Sequence, residues 1–208
     1  MNIFALSKCP VKSAQQMLNK HVVKMPTESC QMLHTNALFQ EFVERYGYEP
    51  TLGKLKEYHK EIESSLMKPA MLNHPSTIWA RETENNTKWL YEHAIALCGE
   101  YTDRYDKQHG TYERILQTPI EFDAESTLAT PPLIAMADEY RIENSYDNHC
   151  WGFVVESYRH YYLEGKWRFA VWPEGKMPYW WPENHYNEKL QPEIDAFLKY
   201  MRRNKNED

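Results

Sequence analysis

The sequence is poor in glycine, and it lacks the glycine-rich loops that bind phosphate groups. Seven glycines are distributed over 208 residues, and neither GxGxxG nor GxxxxGKS/T occurs. The first pattern marks dinucleotide-binding folds, and the second marks nucleoside triphosphatases. The sequence therefore supports neither class of enzyme.

Cysteine and histidine lack the spacing of a metal site. The four cysteines, Cys9, Cys30, Cys98 and Cys150, form no CxxC pair, and the nine histidines form no HExxH motif. Ligand pairs at such short spacing are the usual sequence mark of a zinc site. We therefore expect no metal, and we expect the cysteines to be reduced, buried, apolar side chains.

Long apolar runs are missing as well. No stretch reaches the roughly 18 apolar residues that a membrane span requires, so no membrane partner is predicted. The N-terminus lacks the basic, apolar and small-residue pattern of a secretion signal. We therefore expect a protein that stays in the cytoplasm where it is made.

Acidic residues are absent from the first 27 positions, although the chain has a net charge of −6. That net charge argues against a protein that coats nucleic acid by bulk attraction. The acid-free segment nevertheless contains Lys8, Lys12, Lys20 and Lys24. A local basic patch and a scatter of solvated lysines are both compatible with this pattern.

Apolar residues recur at helical spacing, and no pair of alternating β runs stands out. We predict an all-α fold, a single-domain irregular helical bundle over residues 1–208, with a terminal helix and frayed tail at 185–208. Pro26 is expected to kink or split the first helix. A Pro/Trp-rich extended segment is expected at 172–182, and loop at 117–136. The predicted helices cover 11–35, 51–67, 76–81, 86–105, 111–116, 145–164 and 187–203.

One face of the first helix carries the first candidate site. Lys20, Lys24, Glu28 and Gln31 recur at spacings of about three or four, which places them on one side of a helix. The simplest interpretation is a solvated face with an ordinary ion pair between Lys24 and Glu28. Apolar neighbours around His21 favour partial burial instead, which would make this pair a candidate for anion binding or acid–base chemistry.

Two further helical segments combine polar and basic residues. In NHPSTIWAR, Asn73 and His74 precede a helix start and Arg81 follows, an arrangement that suits phosphate or carboxylate. The alternative is a capped turn with a surface arginine. In YTDRYDKQH, Tyr101 and Arg104 share one helical face and are candidates to meet the first group in space.

A fourth candidate site lies in the aromatic region after Trp151. Tyr158, Tyr162, Lys166 and Trp167 alternate aromatic and basic character, as residues do where flipped or single-stranded bases stack. Core aromatics with basic side chains that reach to solvent would give the same pattern.

Several of these segments resemble the phage amino acid:DNA transferases of thymine-hypermodification systems. They are MNIFALSKCPVKSAQQMLNKHVVKMPTESCQML, NHPSTIWAR, YTDRYDKQHG, TPPLIAMAD and ESYRHYYLEGKW, and KHVVKM is the most specific of them. The resemblance extends to about Trp172. It implies a DNA-binding enzyme that transfers glycine or serine onto phosphorylated 5-hydroxymethyluracil in DNA, with no redox cofactor. The partners are then DNA and a free amino acid, and the hypermodified thymine allows the bacteriophage to evade host restriction.

The resemblance also implies roles for the candidate residues. A phosphate leaving group requires cations, an amine nucleophile requires a base, and the carboxylate of the amino acid requires a cation such as Arg104. The candidate cations for the phosphate are Lys20, Lys24 and Arg81, and the candidate bases are His21, Glu28 and His74. Candidates to line a pocket for the flipped base are Trp79, Tyr158, Tyr162 and Trp167. The remaining candidate substrate contacts are Gln31, Asn73, Tyr101 and Lys166.

The first helix is also weakly similar to the phage pyrimidine-dimer DNA glycosylase. There, an Ala-x-Gln-x-Leu segment leads through a catalytic Glu to a Leu-Pro. Here the segment from Ala14 to Leu18 leads to Lys24-Met25-Pro26, so Lys24 stands at the Glu position. That enzyme also uses its N-terminal amine as the nucleophile, whereas Met1 is expected to be retained before Asn2. Both departures argue against glycosylase or endonuclease chemistry.

Three hypotheses follow: an amino acid:DNA transferase, a DNA glycosylase or endonuclease, and a non-enzymatic phage accessory protein. The two enzyme hypotheses predict that Lys20, Lys24, Arg81 and Arg104 converge on one cleft. The accessory protein predicts that these side chains scatter over the surface. The sequence assigns no oligomeric state.

Overall fold

The computed structural model describes residues 2–120, 128–142 and 150–204, with side chains as far as residue 199. Within these ranges the regular structure is helical and no strand occurs, so the predicted all-α class is confirmed. The α-helices are α1 (Pro10–Gln15), α2 (Asn19–Tyr46), α3 (Leu52–Glu61), α4 (Pro75–Glu82), α5 (Glu84–Tyr105), α6 (Tyr112–Leu116), α7 (Trp151–Tyr161) and α8 (His185–Asn204).

The bundle is organised around α2 and α5. These two helices make the most extensive contact, and α1 and α4 pack against α5 beside it. The main core takes residues from α1, α2, α4, α5 and α7, together with the N-terminal segment at 2–6. A smaller cluster of Leu38, Phe42, Leu55, Tyr58 and Leu72 joins the second half of α2 to α3. The first half of α2 therefore lies between the N-terminal segment and the aromatic residues of α7.

The predicted division of the first helix at Pro26 is wrong. Residues 19–46 are assigned as one helix with Pro26 inside it, and the interruption falls instead at 16–18, between α1 and α2. The guanidinium of Arg104 donates to the carbonyl oxygens of Met17, at 2.8 Å, and of Gln15, at 3.1 Å. Since carbonyls at a helix end need partners, this arginine stabilises the break at that point.

The N-terminal segment at 2–6 has no regular secondary structure and is buried. Ala5 and Leu6 are fully buried, and Phe4 has a φ of +52°. A positive φ is strained for an aromatic residue and persists only where packing enforces it. Four rings, those of His21, Tyr158, Tyr161 and Tyr162, surround Phe4 and supply that packing.

Other predicted boundaries differ by a few residues. His74, rather than Ser76, caps α4, because Pro75 takes the first helical position and His74 accepts a hydrogen bond from the Ser76 N–H. α3 ends at Glu61 instead of continuing to residue 67. Gly165 does not end the α7 region, since a π-helical turn continues it over Tyr162–Lys166.

The segments outside the helices agree with their predictions in part. Residues 128–136 form no regular structure, as predicted for the loop, and 121–127 lie outside the described residues. Residues 145–149 of the helix predicted at 145–164 also lie outside them, and the observed α7 begins at Trp151. Residues 172–182 form turns rather than one extended segment.

The terminal helix α8 exposes apolar side chains that the sequence pattern places inside. Ile194 is 40% exposed, Phe197 61% and Leu198 45%. Helical spacing identified one apolar face correctly, but the main core covers only the Leu190 end of that face. Within the described ranges, no helix combines the length and apolar character that crossing a membrane requires.

The cysteines follow their prediction at two positions. Cys30 and Cys98 are buried, and burial raises the pKa of their thiols to about 11 and about 12, respectively. Both are therefore neutral, apolar core side chains. Cys9 is exposed and Cys150 is half-buried, so the prediction of burial is wrong for Cys9.

Candidate functional site

Glu28 is the centre of the candidate site. Its Oε2 accepts a hydrogen bond of 3.1 Å from the backbone N–H of Asn2, and its Oε1 forms an ion pair of 2.7 Å with the ammonium of Lys24. The Glu28 side chain is 15% exposed and that of Lys24 is 67% exposed. These two donors contribute to holding the carboxylate, which keeps a small exposed fraction and pairs with a solvent-exposed lysine.

Asn2 fixes the N-terminal segment beside Glu28. The Asn2 amide donates to the Ala135 carbonyl at 2.8 Å, and its Oδ1 accepts from the Tyr158 hydroxyl at 2.8 Å and from the Ile3 N–H at 2.7 Å. These bonds join the segment to α7 and to the loop that contains Ala135. The position of the Asn2 N–H is therefore set by the core rather than by the flexibility of a chain end.

His21 packs beneath the surface of the site, against Phe4 and Tyr162. Its ring stacks on Phe4 with centroids 4.3 Å apart, and its Nδ1 shares a hydrogen bond of 2.6 Å with the Tyr162 hydroxyl. Burial, followed by the positive charges of Lys166 and Lys24, lowers the pKa of His21 to about 3. The imidazole is neutral and enclosed, so the prediction that His21 acts as a catalytic base is not supported, and its role is to position Phe4.

His74 lies near enough to Glu28 to respond to its charge. Burial lowers the pKa of His74, and the negative charge of Glu28 opposes this shift. Its Nδ1 accepts the Ser76 N–H at 3.2 Å, which places the proton of the neutral ring on Nε2. In this tautomer His74 offers a hydrogen-bond donor and has no free lone pair with which to act as a base.

Three lysines form a group that reaches Glu28 through Lys24, and we call Lys20, Lys24 and Lys166 the lysine rim. Lys20 and Lys166 both lie over the Phe169 ring, with Nζ 4.7 and 5.9 Å from its centroid, and Lys166 lies 4.4 Å from the Tyr161 ring centroid. Lys24 is one helical turn from Lys20 and pairs with Glu28. The rim combines ammonium groups with aromatic faces, a combination that suits a phosphate backbone.

Gly165 allows the rim to assemble. A Cβ on Gly165 would lie 2.6 Å from Cε2 of Tyr161, far inside contact distance. The missing side chain therefore lets the Tyr161 ring lie under Lys166. This glycine belongs to the π-helical turn Tyr162–Lys166, and single π turns inside helices are frequent at functional sites.

Arg104 and Arg81 do not join the lysines, which corrects the prediction of a shared cationic cleft. The Arg104 side chain is 1% exposed and, besides the two carbonyls at the α1–α2 break, it bonds the Glu100 carboxylate and Oδ1 of Asn19. Arg81 donates to the Leu72 carbonyl at 2.7 Å and lies over the Phe39 ring. The Arg104 guanidinium is enclosed and fully engaged inside the protein, whereas the half-buried Arg81 is held at the Leu72 carbonyl, away from the lysine contacts described above.

The aromatic residues predicted to line a base pocket are core residues instead. Trp79, Tyr158, Tyr162 and Trp167 are all buried. The Trp79 indole N–H donates to Thr130, and burial raises the pKa of the Tyr158 and Tyr162 hydroxyls. These rings therefore support the site without facing it.

The remaining candidates take peripheral places. Gln31 is half-buried on α2, one turn after Glu28, and Asn73 is exposed just before His74. Tyr101 packs against Tyr105 and His109 at the far end of α5 and does not approach Glu28 in any described contact. Among the residues that the structure describes, no group of three metal-ligating side chains is close enough to hold an ion.

Asn2, Phe4 and Tyr161 belong to the candidate site, and sequence reasoning missed them. The buried apolar segment at 2–6 was recognisable, but no spacing rule links it to Glu28, which is 26 positions further along the chain. The signal available was the position of Tyr161 in an aromatic and basic run that ends at a glycine.

One family model matches the chain. Residues 1–113, just over half of the sequence, match the family described as pyrimidine dimer DNA glycosylase. No curated protein and no solved structure matches the chain. The matched region contains Asn2, Lys24, Glu28 and His74, which are the residues at the centre of the candidate site. The chain belongs to the pyrimidine dimer DNA glycosylase family.

Proposed function

We propose that this chain is an enzyme that acts on a pyrimidine base in DNA, with Glu28 as the reacting carboxylate. The observation that carries the proposal is the pairing of Glu28 with the Asn2 N–H beside a lysine rim that is accessible to solvent. The lysines contact phosphates on either side of the target nucleotide. Extrusion of the base then brings C1′ of the deoxyribose to the carboxylate.

In this proposal Glu28 supplies the carboxylate that the glycosylase pattern has at the position of Lys24. Lys24 stands at the catalytic Glu position, and Glu28 lies one turn later on the same face of α2 with its carboxylate turned to the start of the chain. A carboxylate is therefore present in the same part of the fold, supplied from a neighbouring turn. Lys24, which replaces the catalytic Glu of the glycosylase pattern, neutralises part of the charge of Glu28.

The reaction that this arrangement supports best is hydrolysis of the N-glycosidic bond. Glu28 removes a proton from a water molecule, the oxygen of that water bonds to C1′, and the bond from C1′ to N1 breaks. The bonding electron pair leaves with the base, which takes up a proton. In this proposal the attacking group is the water molecule that Glu28 activates. His74, with its proton on Nε2, is placed to donate a hydrogen bond to the departing base.

Amino acid transfer is the second candidate, and the lysine rim favours it. Displacement of phosphate from a phosphorylated 5-hydroxymethyluracil requires cations at the leaving group, and Lys20, Lys24 and Lys166 supply three. Glu28 is then the base that deprotonates the amine of glycine or serine. Because Arg104 is enclosed in the core, a lysine of the rim must also bind the carboxylate of the amino acid.

One substrate panel separates the two reactions. The enzyme is incubated with ultraviolet-irradiated duplex DNA, with undamaged duplex, and with DNA containing phosphorylated 5-hydroxymethyluracil plus glycine or serine. Mass spectrometry then measures free bases and modified nucleosides. A released base with an abasic site supports hydrolysis, and a nucleoside heavier by the amino acid supports transfer. The absence of any product from all of these DNAs would overturn the proposal that the chain acts on pyrimidine bases.

A further inference from the structure

A second pocket lies away from Glu28, between the start of α1, the first turns of α5 and the start of α7. Its volume is about 520 Å³, within the range of pockets that bind small organic ligands. Lys8, Lys12, Lys88, Trp89, Glu92 and Trp151 line it. The site proposed above uses none of these residues.

The aromatic wall of this pocket is rigid. Trp151 is half-buried and lies 5.7 Å from the Trp89 ring at an angle of 33°, and Trp89 is stacked in turn on His93 at 4.9 Å. Each indole N–H donates to a backbone carbonyl, Trp151 to Ala129 and Trp89 to Lys8. Because these hydrogen bonds fix the rings, the Trp151 ring offers a pre-organised flat surface to a planar ligand.

Among the described residues that line the pocket, positive charge predominates. They include three lysines and one glutamate, and Lys8 and Lys12 are exposed members of the acid-free N-terminal segment. A flat aromatic surface beside two ammonium groups complements a molecule with a planar ring and an anionic group. A nucleotide unit, a base with its phosphate, has both.

We propose that this pocket binds one nucleotide unit, with the base against Trp151 and the phosphate held by Lys8 and Lys12. The choice of a nucleotide rests on the proposed function, whereas the pocket itself does not. The unit belongs either to a single DNA strand or to a free nucleotide, and both present the same chemistry to the protein.

The protein contains a matched control pocket on α3. That pocket has a similar volume, about 580 Å³, and its lining includes three lysines, two glutamates and His59 but no tryptophan, tyrosine or phenylalanine. Lys56 and Lys60 are exposed and four positions apart, as are Lys8 and Lys12. Charge reversal at either pair therefore changes the net charge equally, and only one pair lies beside tryptophans.

The test is a binding titration of the full chain with thymidine monophosphate, thymidine and a short single-stranded oligothymidylate, followed by calorimetry. We compare the Lys8→Glu/Lys12→Glu protein with the Lys56→Glu/Lys60→Glu protein, and both with the Trp151→Leu protein after its thermal stability is checked. Loss of stacking at Trp151 is expected to weaken binding about tenfold. The Lys8/Lys12 pair is expected to lower the affinity for the phosphate-bearing ligands far more than that for thymidine.

The outcomes are distinct. Tighter binding of the oligonucleotide than of the monophosphate identifies a DNA strand as the natural ligand, and equal binding identifies a free nucleotide. No binding of either ligand, or an equal loss in the Lys56/Lys60 control, overturns the proposal. Glu28→Gln is expected to retain nucleotide binding at this pocket. The nucleotide-binding test can therefore be judged even if the proposed reaction at Glu28 does not occur.

Discussion

The carboxylate of Glu28 accepts a hydrogen bond from the backbone N–H of Asn2, two residues that are 26 positions apart in the chain. The same carboxylate pairs with Lys24, which is exposed to solvent. This relationship joins the buried N-terminal segment to the accessible face of α2. The Glu28 carboxylate therefore contacts both the buried N-terminal segment, through Asn2, and the lysine rim, through Lys24.

The Asn2 side chain is expected to contribute strongly to stability. Asn2→Ala leaves the Tyr158 hydroxyl and the Ala135 carbonyl without their buried partner. A buried polar group without a partner costs about 1–3 kcal/mol, so the free energy of unfolding should fall by about 2–4 kcal/mol. Urea denaturation measures the change, and Asn73→Ala, at an exposed asparagine, is the matched control. Equal stability of the two variants would contradict the anchoring role of Asn2.

Two glycine substitutions should have opposite effects. Gly165→Ala forces a Cβ against the Tyr161 ring and is expected to lower the free energy of unfolding by about 1–3 kcal/mol. Gly99→Ala, on the exposed face of α5, meets nothing within 4 Å and should raise it by up to about 1 kcal/mol. Thermal and urea unfolding of both proteins decide the matter, and a Gly165→Ala protein as stable as the wild type would refute the close approach.

The lysine rim should appear in the salt dependence of DNA binding. Removing one phosphate contact lowers the slope of log K against log salt by about 1. We expect this change for Lys20→Ala and for Lys166→Ala, with similar weakening on DNA of any sequence. Lys60→Ala, on α3, should leave the slope unchanged. Identical slopes in all these proteins would show that DNA does not contact the rim.

His21 should make the protein less stable in acid. Its pKa is about 3 in the folded protein, against the ordinary value of 6.5 for histidine in the unfolded chain, so the unfolded chain binds the proton first as the pH falls below 6.5. Stability is therefore full above that pH, is lost on acidification and levels off near the folded pKa. Between about pH 7 and about pH 5 the loss from this group is about 2 kcal/mol. His21→Gln should remove that part of the loss in urea titrations at the two pH values, and an unchanged loss would count against a buried neutral imidazole.

Sequence reasoning predicted the helices where their signal is local. The apolar stripe of α5 and the spacing of Lys20, Lys24 and Glu28 on one face of α2 depend only on helical periodicity, and the structure contains both. The break before α2 depends on Arg104, which comes from a helix more than eighty positions later. No local pattern contains that contact, so the predicted break was placed at Pro26 instead.

The candidate site was predicted in part for the same reason. Residue type alone suggested anion binding by Arg81 and Arg104, but the Arg104 guanidinium is enclosed by partners inside the protein, and Arg81 donates to the Leu72 carbonyl. Glu28 was recognisable from its spacing to Lys24. Its contact with Asn2 depends on how the N-terminal segment packs against α2 and α7, and periodicity carries no information on that packing.

The most direct test of the account is the single-turnover rate of Glu28→Gln on the DNA that the wild-type enzyme converts. A general acid–base group contributes about 100-fold to about 10,000-fold to a rate. We therefore expect a loss of that size for Glu28→Gln, with DNA binding retained, while Glu44→Gln at an exposed position of the same helix keeps the wild-type rate. A Glu28→Gln protein that turns over its substrate as fast as the Glu44→Gln protein would contradict the central role of this carboxylate.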